Sequence, residues 1–164
     1  MSIRRSIISY YPIAINLRGR LAVIAGGGEV AERKVKGLLK TGGRITVVSP
    51  QATLYLRRLA RQQKIRWIKR VVRAQDVSGA GIVIAATSER AVNKQVSLWV
   101  KKRGILVNVV DEPRLSNFIS PAVLRAAKAT LAVYTNGKDP LLSKDLKNFL
   151  EEHWDVFLSY RHRL

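Results

Sequence analysis

The chain has no cysteine and one methionine in 164 residues. The missing cysteine excludes a disulfide framework, a thiol nucleophile and a thiolate-bound metal, and it points to a reducing, cytoplasmic setting. Long apolar runs are missing too. None approaches the roughly 20 residues that span a bilayer, so no membrane partner is expected. Acidic residues are scarce, 11 against 30 lysines and arginines, for a formal charge of +19. Such a field suits either capture of an acidic ligand or a solubilising surface. Aromatics are only 7% of the chain, and Trp67, Trp99 and Trp154 fall in separate segments that read as packing positions. The stacking residues that usually accompany unspecific nucleic-acid binding are therefore thin, which argues against a nucleic-acid partner. With 47% apolar residues the chain can still bury the core of one domain and a small appendage.

Residues 1–17 place Arg4 and Arg5 before an apolar patch, but Tyr10, Tyr11, Pro12 and Asn16 interrupt it and no small-residue cleavage site follows. This stretch reads as a lead-in strand, not a signal. Beyond it, residues 21–34 read as a buried strand that breaks into a glycine turn and then a helix. Gly26 permits a tight turn, Gly28 lets main chain approach a ligand without a Cβ, and Ala31 keeps the helix close to the sheet. The first N–H groups of such a helix lack partners and carry the positive end of its dipole, so a diphosphate satisfies both. A GxGxxA pattern alone also marks ordinary turns. Here an apolar strand precedes it, and Val30, Val35, Leu38 and Leu39 form an apolar helix face behind it.

Strands and helices then alternate. Residues 45–48 predict a strand, and 52–62 a helix with Leu54, Leu56, Leu59 and Ala60 available for burial. Residues 65–68 predict a third strand, 71–80 a loop or short crossover, and 81–87 a fourth strand apolar throughout, as one covered on both faces must be. Thr87 ends that strand where open α/β sheets collect ligands. Ser88 with Glu89 reads as the cap of a helix over 90–103. A fifth strand over 105–110 delivers Asp111 to the same edge. The fold class is therefore α/β, a Rossmann-like doubly wound parallel sheet over residues 1–113. From 114 to 164 the alternation stops: strands over 118–124 and 130–135, the turn pair Asn136 and Gly137, and a helix over 141–158 make a small α+β unit. Two strands and one helix are little to stand alone, so this part is expected to pair with a second copy, giving a homodimer.

An acidic residue is expected about twenty positions beyond the glycines, where it binds ribose hydroxyls. That place holds Ser49. Ser49 and Gln51 can still hydrogen-bond a ribose, and the choice between NAD and NADP stays open on these residues.

Read together, YPI over 11–13 followed by Leu17 and Arg18, GGGEVAERK over 26–34, IAAT over 84–87 before Asn93, NVVD over 108–111, FISP over 118–121 and NGKDP over 136–140 resemble the precorrin-2 dehydrogenases, which form the amino-terminal part of siroheme synthases. The resemblance covers nearly the whole chain. It implies NAD as cofactor and oxidation of precorrin-2, a tetrapyrrole polycarboxylate, to sirohydrochlorin on the way to siroheme, with iron insertion in some members. It implies that the backbone of Gly26, Gly27, Gly28, Glu29 and Val30 meets the cofactor diphosphate, and that Pro50 and Gln51 lie by the adenosine ribose. Asp111 would be the catalytic carboxylate, although before Pro113 it also reads as a turn residue. Asn108 would orient the loop or touch the nicotinamide, and Thr135 would contact substrate. The family's dimers interlock through the second part. Against that resemblance, the further helical part that many relatives carry is expected to be largely missing after residue 164, and no methyltransferase portion is expected.

Chelation stays open, because His153 and His162 have no partner at metal-site spacing and no metal ligands are assigned. Two other classes remain beside the enzyme: a nucleotide-sensing domain that would need no Asp111, and a basic nucleic-acid-binding protein.

Overall fold

In the computed structural model, residues 10–126 and 129–161 are described. They form two compact units, residues 12–118 and the residues from Ile119 on together with Tyr10 and Tyr11.

The first unit is a five-stranded sheet of order β3-β2-β1-β4-β5, parallel throughout. Its strands are β1 (Leu21–Ala25), β2 (Arg44–Val48), β3 (Arg66–Ile68), β4 (Ala80–Ala85) and β5 (Leu106–Val109). The helices are α1 (Glu29–Leu39), α2 (Leu54–Arg61) and α3 (Arg90–Lys101), and a 3-10 turn, Ala74–Val77, lies in the crossover from β3 to β4. Side chains alternate along each strand. On β1, Ala22 and Ile24 pack with Val35 and Leu38 of α1 and Leu56 and Leu59 of α2. Val23 and Ala25 pack on the other side with Val96 and Val100 of α3. Both sheet faces are covered, which explains why β1 and β4 read as continuous apolar runs. Each fully buried Val, Ile or Leu adds about 1.5–3 kcal/mol.

Element ends moved where a side chain took over a backbone partner. The second helix starts at Leu54 and not at 52, because the Thr53 hydroxyl accepts from Leu56 N–H at 3.3 Å. Leu54 is left on the first turn, 78% exposed, instead of buried. Residues 114–118 group with the first unit. They fold back along β5, where Asn117 Oδ1 accepts from Val107 N–H at 2.7 Å and the Ser116 hydroxyl accepts from Val109 N–H at 2.8 Å. These side chains blunt an otherwise open sheet edge. Residues 10–17 form no strand, and the start of the expected lead-in strand lies outside the described residues.

The second unit pairs β6 (Ala122–Ala126) antiparallel with β7 (Ala129–Val133), from Ala122 opposite Val133 to Ala126 opposite Ala129. Pairing begins after Pro121, which has no N–H to give to a ladder, so residues 118–121 are not strand. Asn136 and Gly137 both take positive φ, 54° and 75°, and Lys138 N–H closes the turn on Thr135 O at 3.0 Å. The expected single helix is two: α4 (Pro140–Glu152), which packs on β6 and β7, and α5 (Trp154–Arg161). The break is at His153, whose ring Nδ1 lies 2.9 Å from Phe149 O while its own N–H donates to the same oxygen at 3.1 Å.

Candidate functional site

The strand order reverses between β1 and β4, the neighbours from which the chain leaves toward opposite sheet faces. Crevices at such a point accept nucleotides. Here the crevice is a cavity of about 500 Å³ whose floor is Gly26, Gly27 and Gly28. Gly26 has φ +120°, and a Cβ there would lie 2.2 Å from Ala86 O. Gly27 is equally constrained for another reason: its Cβ would come 2.0 Å from Gln51 O. Gly28 differs from both. A Cβ there meets nothing within 4 Å, so the missing methyl leaves room in the cavity itself. Gly28 is also the N-cap of α1 and has no side chain to cover the helix end. The first amide bonded within that helix is Glu32 N–H, to Gly28 O at 2.9 Å, so those of Glu29, Val30 and Ala31 have no intrahelical acceptor. Ala31 is fully buried against the sheet. A floor of bare main chain ending on free N–H groups suits a diphosphate.

Ser49, Pro50 and Gln51, following β2, line the same cavity, with Thr53 behind them. Trp67 Nε1 donates to Ser49 O at 3.0 Å, and Thr53 N–H donates to Gly27 O at 3.0 Å, which ties this loop to the glycine turn. Thr53 Oγ1 also donates to Glu32 at 2.6 Å. The Glu32 carboxyl sits below its ordinary range, first through its bond to Lys36 and then through Thr53. Burial, with Arg33 nearby, pushes the Lys34 ammonium down. A second hollow, of about 590 Å³, continues from Pro50 and Gln51 to Arg57, Trp67 and Lys69, and carries no carboxylate.

The third wall is built from β4, α3 and the end of β5. Thr87, Ser88 and Glu89 line the cavity. The expected Ser88 cap is not formed: Glu89 is the N-cap of α3, and Thr87 Oγ1 takes the local bonds, accepting from Glu89 N–H at 3.2 Å and donating to Asn93 Oδ1 at 2.8 Å. Asn93, 1% exposed, reaches Thr87 with one end and Asp111 with the other, its Nδ2 donating to Asp111 Oδ1 at 3.0 Å. Asp111 is exposed, one residue beyond Val110, whose N–H still bonds Ala85 O at 3.1 Å. Asn108 lies opposite Ile84 in the sheet, and its amide donates to Phe118 O at 3.4 Å, which orients the returning loop.

In the second unit the Thr135 hydroxyl accepts from Asp139 N–H at 2.9 Å and donates to Asp139 O at 2.6 Å, starting α4. His153 stacks on Phe149 at 4.2 Å, and His162 lies outside the described residues. Among the described residues no group of three His, Cys, Asp or Glu could hold a metal, and no helix is long and apolar enough to cross a membrane.

The structure thus gathers Gly26, Gly27, Gly28, Ser49, Pro50, Gln51 and Thr87 around one cavity and links Asp111 to its wall. Asn93 was not singled out as a site residue from sequence. Its signals in sequence are its place after IAAT over 84–87 and its helical spacing with Val96 and Val100 on a buried face.

Residues 13–122 match the family described as "Putative NAD(P)-binding". Siroheme synthase of Methylococcus capsulatus is 40% identical over 144 residues, and siroheme synthase of Nitrosomonas eutropha 40% identical over 145; each match covers 88% of this chain. The chain spans only 30% of the length of these two relatives. Among solved structures, SirC, a precorrin-2 dehydrogenase, superposes with a TM-score of 0.77 at 32% identity, covering 88% of this chain and 71% of that one. On matches of this extent, the chain belongs to the NAD(P)-binding family of the precorrin-2 dehydrogenases.

Proposed function

We propose that the chain is an NAD-dependent dehydrogenase that oxidises precorrin-2 to sirohydrochlorin in siroheme biosynthesis. The observation that carries this reading is the junction at Asn93: one buried amide joins Thr87, on the cavity wall, to the exposed carboxylate of Asp111. The glycine turn and the N–H groups of Glu29 and Val30 hold the diphosphate, and Ser49, Pro50 and Gln51 hold the adenosine ribose. When bound there, NAD supplies the acceptor for the hydride that leaves the substrate. A proton leaves as well, which extends the conjugation of the macrocycle and calls for a base. Asp111 takes that proton, held by Asn93 on one oxygen and exposed to substrate on the other. The carboxylates of the tetrapyrrole meet a chain of net charge +19, which speeds their capture. Thr135 serves as a further substrate contact. A cysteine-free chain that spends NAD works in the cytoplasm.

The same reading makes the protein a homodimer. Leu142, Leu146 and Phe149 form a stripe on α4 that is 45–55% exposed in the single chain, and Phe157 on α5 is 51% exposed. A second copy would cover them.

The decisive experiment supplies precorrin-2 and NAD and follows NADH. Asp111→Asn is expected to lower kcat by about 100-fold or more with NAD affinity retained. Absence of NADH with the folded, NAD-binding protein overturns the reading. Loss in Glu89→Gln but not in Asp111→Asn moves the base to Glu89, which also lines the cavity.

A further inference from the structure

Asn93 has every hydrogen-bonding position in use, and the pattern permits one orientation of its amide. Its Oδ1 accepts from Thr87 N–H at 3.1 Å and from Thr87 Oγ1 at 2.8 Å. Its Nδ2 donates to Thr87 O at 3.1 Å and to Asp111 Oδ1 at 3.0 Å. Two acceptor sites and two donor protons are the full capacity of a carboxamide. Turning the amide over would set its NH₂ against the Thr87 N–H and its oxygen against both Thr87 O and the Asp111 carboxylate. The main chain at Thr87 therefore selects the rotamer, and the proton left over is aimed at Asp111. Asn93 is 1% exposed on the buried face of α3, so water does not compete for its amide. Asp111 takes no other hydrogen bond among the described residues, which leaves this amide as what orients its carboxylate.

We infer that Asn93 is the positioning residue of the reaction: it reads the place of the cofactor-side main chain at Thr87 and sets the Asp111 carboxylate against it, leaving Oδ2 to face substrate. The inference rests on the reading of Asp111 as the base. Asn93 touches neither ligand in this arrangement and acts through Asp111. Rotation of an exposed aspartate by one rotamer displaces its oxygens by more than the ångström that costs a reaction about 100-fold. Binding through the glycine turn is a separate matter, since none of its groups bonds Asn93.

Asn93→Ser tests this, because it keeps a hydroxyl for Thr87 and withdraws the donor from Asp111. The expected result is a fall in kcat of about 10- to 100-fold, with KM for precorrin-2 and NAD affinity within about threefold. In the Asp111→Asn background the same substitution is expected to cost less than about twofold, since residues that act as a unit are not additive. Fully additive losses, or a drop in NAD affinity as large as the drop in kcat, overturn the inference and leave Asn93 a structural residue of α3. Should Asn93→Ser fail to fold, proton–nitrogen NMR of the otherwise native chain decides the matter. The Asn93 side-chain amide is expected to be slow to exchange and to shift on Asp111→Asn, and an unmoved resonance overturns the inference. That spectrum reads the Asn93–Asp111 bond whether or not the protein oxidises precorrin-2, so a failed turnover assay sinks the proposed reaction without being mistaken for a failure here.

Discussion

Glu32 of α1 and Thr53, which lines the cavity at the start of α2, are joined by a 2.6 Å hydrogen bond from the threonine hydroxyl. The same hydroxyl accepts from Leu56 N–H, and Thr53 N–H donates to Gly27 O. One residue therefore caps α2, tethers α1 and fixes the loop of Ser49 and Gln51 over the glycine turn. Thr53→Ala is expected to lower stability by about 1 kcal/mol through the lost cap. It is also expected to weaken NAD binding severalfold, because the ribose loop loses its anchor. Urea unfolding and NAD titration measure the two effects, and an unchanged affinity removes Thr53 from the site.

Two glycines of the turn, Gly27 and Gly28, make opposite predictions. A methyl on Gly27 would meet Gln51 O at 2.0 Å, and that oxygen belongs to backbone that cannot swing aside. Gly27→Ala is expected to cost more than about 3 kcal/mol or to prevent folding. Gly28 has φ −81°, and its methyl would point into open space. Gly28→Ala is expected to unfold within about 0.5 kcal/mol of the native chain. Its affinity for NAD should fall at least tenfold, about 1.4 kcal/mol, since the methyl occupies the room left for the ligand. A Gly28→Ala protein that binds NAD normally would show that the diphosphate lies elsewhere.

Asp76 makes a pH prediction away from the cavity. Both oxygens accept from Arg70, at 2.7 Å each, and Arg73 N–H donates to one of them at 2.7 Å. The Arg70 guanidinium holds the Asp76 carboxyl below its usual range, with burial opposing and Arg73 N–H assisting. A carboxyl with a depressed folded-state pKa adds stability above its unfolded value of about 3.9, and that stability is lost as pH falls through the folded value. Asp76→Asn is thus expected to cost about 1 kcal/mol at neutral pH. The gap between variant and native chain should close only below pH of about 4. A gap that is constant with pH in urea titrations would mean that packing and not charge is lost.

How much of this could be read from the chain depended on whether a residue answers to its neighbours in sequence or in space. The strand–glycine–helix at 21–39 was legible because β1 is buried on both faces and Gly26 must turn, both local facts. The parallel, doubly wound character of the sheet followed from the alternation. The role of Gly27 was not legible, since Gln51 approaches it from a loop 24 positions on. The role of Asn93 was hidden for the same reason: its partners, Thr87 and Asp111, become neighbours only when β5 lies beside β4. The division of the last helix falls at His153, where a ring nitrogen lies 2.9 Å from Phe149 O, a local contact that apolar spacing does not register.

The face of α4 and α5 gives the last test. Leu142, Leu146 and Phe149 lie at helical spacing and remain about half exposed, beside a two-stranded sheet too small to cover them. Single exposed apolar residues are ordinary on a soluble surface, but a contiguous stripe marks an interface. Covering these side chains with a second copy would remove apolar area worth about 25 cal/mol per Å² from water. A charge placed in the stripe reverses that gain. Leu146→Glu and Phe149→Glu are each expected to turn a sedimenting dimer into a monomer. Cofactor affinity should hold, because the cavity lies wholly within residues 12–118. If the native chain sediments as a monomer at every concentration, or if both variants remain dimeric, the second copy does not sit on this face.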